Sequence, residues 1–97
     1  MAKQIKWSPR AADQLEAICE YIARDSDYYA QLFAKRVLSI IRDIPQFQKA
    51  GRIVPEYGKE ELREKIFQNY RIVYRIKIEI IEIAAIVHSA RQIKNIL

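Results

Sequence analysis

Hydrophobic residues along this chain recur with two different periods, and the change from one to the other lays out the elements. Lys3, Ile5 and Trp7 alternate with Gln4 and Lys6, the period-two mark of a short strand that turns Ile5 and Trp7 inward. Ser8-Pro9 follows, a side-chain N-cap and then proline at the first helical position. The spacing then becomes helical. Ala11, Leu15, Ile18 and Ile22 share one face, while Asp13, Glu16 and Glu20 take the wet one. Cys19 and Tyr21 border the stripe, and Cys19 reads as a small buried hydrophobe. Arg24-Asp25-Ser26-Asp27 breaks the pattern and caps a second helix from about Tyr28 to Ile44, with Phe33, Val37, Ile40, Ile41 and Ile44 on its apolar side. Pro45 ends it. Two helices joined this closely are antiparallel neighbours, and their stripes need another layer to cover them.

Residues 45–62 carry Pro45, Gly51, Pro55 and Gly58 and read as a shaped loop. Period two returns in three runs, Arg63–Phe67, Tyr70–Lys77 and Glu79–His88, with breaks short enough for hairpins. In the middle run Tyr70, Ile72, Tyr74 and Ile76 fall on one side, and Arg71, Val73, Arg75 and Lys77 on the other. The first side closes a core; the second presents three cations on a stiff surface. In the last run Ile81, Ile83, Ala85 and Val87 alternate with Glu82, Ala84, Ile86 and His88. Taking the first set as core places His88 on the open face with Arg71 and Arg75. The register of Arg63–Phe67 has two solutions. A two-residue Gln68-Asn69 turn pairs Phe67 with Tyr70 and puts Lys65 on the core side. An odd-length loop puts Arg63 and Lys65 with the cations and buries Ile66, and is preferred for that reason. Ser89–Leu97 is expected to form a final helical turn or two. The predicted class is α+β in the order β-α-α-β-β-β, a helical hairpin packed on a small antiparallel sheet, with residues 1–97 forming one domain.

Composition changes this picture little, and charge changes it more. With 97 residues, 51% apolar and 30% charged, the chain suits a compact soluble domain. No apolar run approaches the roughly 18 residues of a membrane span, so no membrane role is expected. Met1–Lys6 lacks the apolar stretch of a signal peptide. A lone cysteine fits a cytoplasmic home. The net charge is +5, and it is unevenly placed. Residues 1–62 hold 10 Lys/Arg against 9 Asp/Glu, whereas residues 63–97 hold 7 against 3. The excess sits with the last strands and suits nucleic acid, ribosome or an acidic protein partner.

Several stretches in this order resemble one family. They are Trp7-Ser8-Pro9-Arg10-Ala11, Tyr21-Ile22-Ala23-Arg24-Asp25-Ser26, Gly51-Arg52-Ile53-Val54-Pro55-Glu56, Arg63-Glu64, Tyr70-Arg71-Ile72-Val73-Tyr74-Arg75-Ile76 and Val87-His88-Ser89-Ala90-Arg91. Together they resemble the RelE/ParE toxins of type II toxin–antitoxin modules, also known as the plasmid stabilisation protein family, over nearly the whole chain. The resemblance implies a growth-inhibiting toxin neutralised by a cognate antitoxin. The family's activities divide between mRNA cleavage on the ribosome, RelE-like, and inhibition of DNA gyrase, ParE-like.

Cleavage of RNA by its own 2′-hydroxyl needs a proton acceptor, cations at the phosphate and a proton donor for the leaving oxygen. Arg71 and Arg75 are the candidate phosphate clamps, with Arg63 or Lys65 assisting, and His88 is the sole histidine. By resemblance, Arg71 matches the sheet arginine that nuclease members place at the phosphate. Arg52, Lys77 and Arg91 complete the candidate target-binding set. Nuclease members often carry a Tyr or His-Tyr pair after the last strand, or a lysine cluster in the central loop. Here Ser89-Ala90-Arg91 follows the strand, and the loop holds only Lys49 and Lys59. The ending is closer to ParE. The expected function is therefore a ParE-leaning toxin whose cationic face docks on gyrase, with a RelE-like nuclease centred on Arg71, His88 and Arg63 as the alternative. A third reading is an inactive relative that retains only antitoxin binding. No metal or cofactor is expected, and a homo-oligomer is left open.

Overall fold

Ser8 and Ser26 set where the two helices begin. In the computed structural model, which describes residues 3–94 and 97, the Ser8 hydroxyl accepts from the Ala11 amide at 3.1 Å and Pro9 opens α1 (Pro9–Ala23). The Ser26 hydroxyl accepts from Tyr29 at 3.2 Å and opens α2 (Asp27–Asp43). A short 3-10 turn, Ile44–Gln46, carries Pro45 and closes the second helix. The strands are β1 (Gln4–Trp7), β2 (Arg52–Ile53), β3 (Leu62–Phe67), β4 (Tyr70–Ile76) and β5 (Ile80–His88), in the sheet order β1-β5-β4-β3-β2.

The helical hairpin covers one face of the sheet. Phe33, Val37 and Ile41 of α2 and Ala11 of α1 meet Ile72, Tyr74, Ile81, Ile83 and Ile86, with Ile5 and Trp7 packed at the margin. This is the expected β-α-α-β-β-β arrangement in outline, with corrections to the strand set, the registers, the second face and the C-terminal segment.

The sheet is mixed. β3, β4 and β5 are antiparallel neighbours, but β1 runs parallel to β5, pairing Gln4 with Ile80 through Trp7 with Ile83. Consecutive hairpins fix the sense of the last three strands. The sense of β1 depends on where two helices return the chain, which strand alternation does not report. The loop also contributes β2, whose two residues pair with Arg63 and Glu64.

β5 carries a bulge. Val73 pairs with Ala85 and Tyr74 with Ile83, so Ala84 is an extra residue. Its backbone neighbourhood is satisfied from the start of α1. The Ser8 hydroxyl donates to the Ala84 carbonyl at 3.0 Å, and Gln14 Oε1 accepts from the Ile86 amide at 2.8 Å. Beyond the bulge the alternation is inverted. Ile81, Ile83 and Ile86 enter the helix-side core, and Ala84, Ala85 and Val87 turn to the other face. His88, expected beside Arg71, is therefore on the opposite side of the sheet from it.

The β3–β4 connection is the two-residue Gln68-Asn69 turn, with Gln68 at φ 52° and Phe67 paired with Tyr70. Arg63 and Lys65 consequently lie on the helix side rather than with the cations, and Ile66 is 50% exposed. The deciding contact is Phe67, which packs on Phe33 with centroids 5.6 Å apart.

The face expected to be open is covered. Val54, Leu62, Val73, Ala84, Ala85, Val87 and Ile93 form a second buried cluster, closed by the 54–62 loop and by residues after β5. Residues 89–94 run as turns, not the expected helix; Asn95 and Ile96 of that expectation lie outside the described residues, as do Met1 and Ala2 of the N-terminal reading. Burying the Ile93 side chain is worth about 2 kcal/mol, enough to hold this segment against the sheet.

Candidate functional site

Arg71 projects from the centre of the sheet into this covered face and is 4% exposed. A guanidinium so placed requires partners, and it has them. Nε donates to Glu64 Oε1 at 2.6 Å, from the neighbouring strand. Nη1 and Nη2 donate to the two oxygens of Glu56, each at 2.7 Å, and Nη1 also reaches the Arg91 carbonyl at 3.0 Å. Glu64 in turn accepts from Arg52 Nε at 2.5 Å on its other oxygen. Two arginines and two glutamates thus form one neutral network. Hydrogen bonds from Arg71 hold the Glu56 carboxyl at about 2, against the opposing pull of its burial. The same bonds with Glu56, and then Glu64, raise Arg71 above its ordinary value despite burial.

The network lies at the base of a shallow cleft of about 420 Å³ lined by Arg52, Pro55, Glu56, Arg71, Ser89, Gln92 and Lys94. Glu56 stands across the guanidinium edge that a phosphate would need. Arg71 is committed to two carboxylates, so its expected place as a phosphate clamp is already filled.

The other candidate residues are dispersed. Arg63 is almost fully buried on the helix side, where Nε donates to the Glu60 carbonyl at 2.8 Å and Nη1 to the Lys49 and Gly51 carbonyls at 3.0 Å. It ties down the loop. Tyr74 does so too: its hydroxyl donates to the Gln48 carbonyl at 2.6 Å and accepts from the Gly51 amide at 3.2 Å. Burial pushes the Tyr74 phenol up. His88 is exposed, its Nδ1 accepting from the Ala90 amide at 3.2 Å. Arg75 faces Glu82 across β4 and β5, and Lys77 Nζ lies 3.6 Å from a Glu82 oxygen. Lys65 is half-buried beside Phe67, while the Arg52 and Arg91 side chains are exposed. No acid–base pair converges on Arg71 from this set.

Glu56 and Glu64 were not among the residues expected from the sequence. Glu64, between Arg63 and Lys65, reads as a local ion pair, yet it is 1% exposed and joins Arg52 to Arg71. Its alternation with Arg63 on β3, once the two-residue turn is adopted, is the signal that finds it. Among the described residues no three His, Cys, Asp or Glu side chains are placed to hold a metal.

A hairpin of two helices packed on a five-stranded mixed sheet defines the fold class. The family model for the ParE toxin of the type II toxin–antitoxin system, parDE, matches residues 5–93, and the chain belongs to that family. A solved structure described as the chromosomal ParDE TA system from P. aeruginosa has the same fold, with a TM-score of 0.74 at 20% identity over 90% of this chain and 96% of that one. No curated protein matches it in sequence. Among the described residues, no helix is long and apolar enough to cross a membrane.

Proposed function

We propose that residues 1–97 form one toxin domain that arrests growth by binding a cellular target, DNA gyrase in the first instance, and that a cognate antitoxin neutralises it in the cytoplasm. The observation that carries this reading is the state of Arg71. A nuclease needs that cation free to meet a crowded phosphate, and here it is buried and saturated by Glu56 and Glu64. His88 stands on the other face, so proton transfer and phosphate binding have no common site. Docking demands less. Arg52 and Arg91 are exposed at β2 and after β5, with Arg75 and Lys77 at the end of β4 and Lys65 on the helix side, and positive charge spread in this way still accelerates encounter with an acidic partner.

The test pairs purified protein with gyrase and relaxed plasmid, and in parallel with translating ribosomes. Loss of supercoiling or accumulation of cleaved plasmid is expected in the first arm, with intact messenger in the second. Codon-positioned cuts in the messenger, with gyrase unaffected, would overturn the proposal.

A further inference from the structure

Glu56 occupies the position of a ligand. Its two oxygens take two parallel bonds from the outer edge of Arg71, and Oε2 also accepts from the Ile93 backbone amide at 3.3 Å. The two partners differ in how they are held. Arg71 is fixed in the middle of the sheet, its Nε bonded to Glu64 of the adjacent strand. Glu56 comes from the turn 54–58, which lies outside the strands and ends at Gly58 with φ 63°. Arg71 is thus held by the sheet, while Glu56 belongs to an irregular turn whose anchors are Val54, fully buried, and the Tyr57 hydroxyl, which donates to the Ile93 carbonyl at 3.0 Å.

Charge points the same way. Glu64 balances Arg71, and Arg52 and Lys94 line the same cleft. With Glu56 removed, three cations would face one carboxylate, with the Ile93 amide left without an acceptor. We propose that Arg71, the Ile93 amide, Arg52 and Lys94 form an oxyanion receptor that the chain closes with its own Glu56, and that takes a carboxylate or phosphate group when the 54–58 turn is drawn off. Two parallel N–H donors at a guanidinium edge suit either ligand. The tethered carboxylate competes at an effective concentration of about millimolar or more, so free anions do not displace it from the closed form. The inference concerns binding alone: an opened receptor still has no proton-transfer group beside it, because His88 stands on the other face, and its readout is the binding of small anions.

The experiment titrates the wild-type chain and Glu56→Ala with inorganic phosphate at constant ionic strength, with chloride as control and acetate as a second arm. Amide and guanidinium resonances are followed by NMR. In Glu56→Ala the Arg71 Nε–H and the Ile93 and Lys94 amides are expected to shift saturably, with apparent affinity at least about tenfold above wild type, and Tm to rise with phosphate. The anion that saturates at lower concentration identifies the ligand as phosphate-like or carboxylate-like. A folded Glu56→Ala that responds to neither anion, or a wild type that responds equally, overturns the proposal. If Glu56→Ala is unfolded in chloride, recovery of the fold in phosphate supports it, and continued unfolding in saturating phosphate overturns it.

Discussion

Tyr70 and His88 meet across β4 and β5 with ring centroids 5.8 Å apart and planes at 75°, on the face of the sheet that Arg71 does not share. The contact places the only histidine in an edge-to-face pair at the margin of the core, where Phe33 also packs on Tyr70 at 5.3 Å. His88→Ala is therefore expected to keep full growth arrest when expressed without antitoxin, and to lose about 1 kcal/mol of stability or less. Growth curves and urea denaturation check both. A stable His88→Ala that no longer arrests growth would return the imidazole to the functional site.

Arg71→Ala is expected to behave as a folding variant. It leaves Glu56 and Glu64 without their shared cation in a covered site, a change that costs about 3–5 kcal/mol where a buried pair is broken from one side. Adding Glu56→Ala removes one stranded carboxylate and should recover part of the loss, a coupling of about 1–3 kcal/mol in a double-mutant cycle. Additive losses would mean that the ion pair contributes nothing.

Acid should weaken the fold through Glu56. Its folded value of about 2 lies below its ordinary 4.5, so its contribution is complete above pH 4.5 and is lost as pH falls from there through about 2. The linkage amounts to at most about 3 kcal/mol. Urea denaturation between pH 5 and pH 2 should show this slope in wild type and a flatter one in Glu56→Gln. Equal slopes would remove Glu56 as the cause.

Gly51 is fixed by contact. A Cβ there would stand 2.6 Å from the Tyr74 hydroxyl oxygen and 2.7 Å from the Glu64 carbonyl oxygen, and the second of these is backbone. Gly51→Ala should cost about 1–3 kcal/mol through displacement of β2 from β3. Tyr74→Phe removes the bridge between Gly51 and Gln48 and should cost about 1–3 kcal/mol by stranding a buried amide. Thermal denaturation checks both; a neutral Tyr74→Phe would show that the loop does not depend on the hydroxyl.

Local signals were legible in the sequence where a single residue carries them. Ser8-Pro9 and Ser26 begin helices, and Tyr70 through Ile76 keep strict alternation with Ile72 and Tyr74 in the core. The same alternation misleads on β5, because Ala84 and Ala85 are both small and nothing in their side chains distinguishes an extra residue from a paired one. The β3 register failed for a related reason. Burying Ile66 favours one register, but packing Phe67 on Phe33 opposite Tyr70 favours the other and prevails, and Ile66 is left half in water. Arg71 was placed on its strand, while Glu56 lies 15 residues away on an irregular turn, and no periodicity links them.

The extra residue at Ala84 makes β5 a strand of two opposite parities on one backbone. Its first half and its last half can be altered for different surfaces, since a residue that points to the helices before the break would point away from them after it. Deleting Ala84 would leave the pairings and facings on either side of it as they are, whereas absorbing Ala84 as a one-residue slip of the strand instead of a bulge would turn His88 to the side of Arg71. The way one extra alanine is absorbed, as a bulge or as a slip, thus decides whether the groups that acid–base chemistry at this sheet would require stand apart or together.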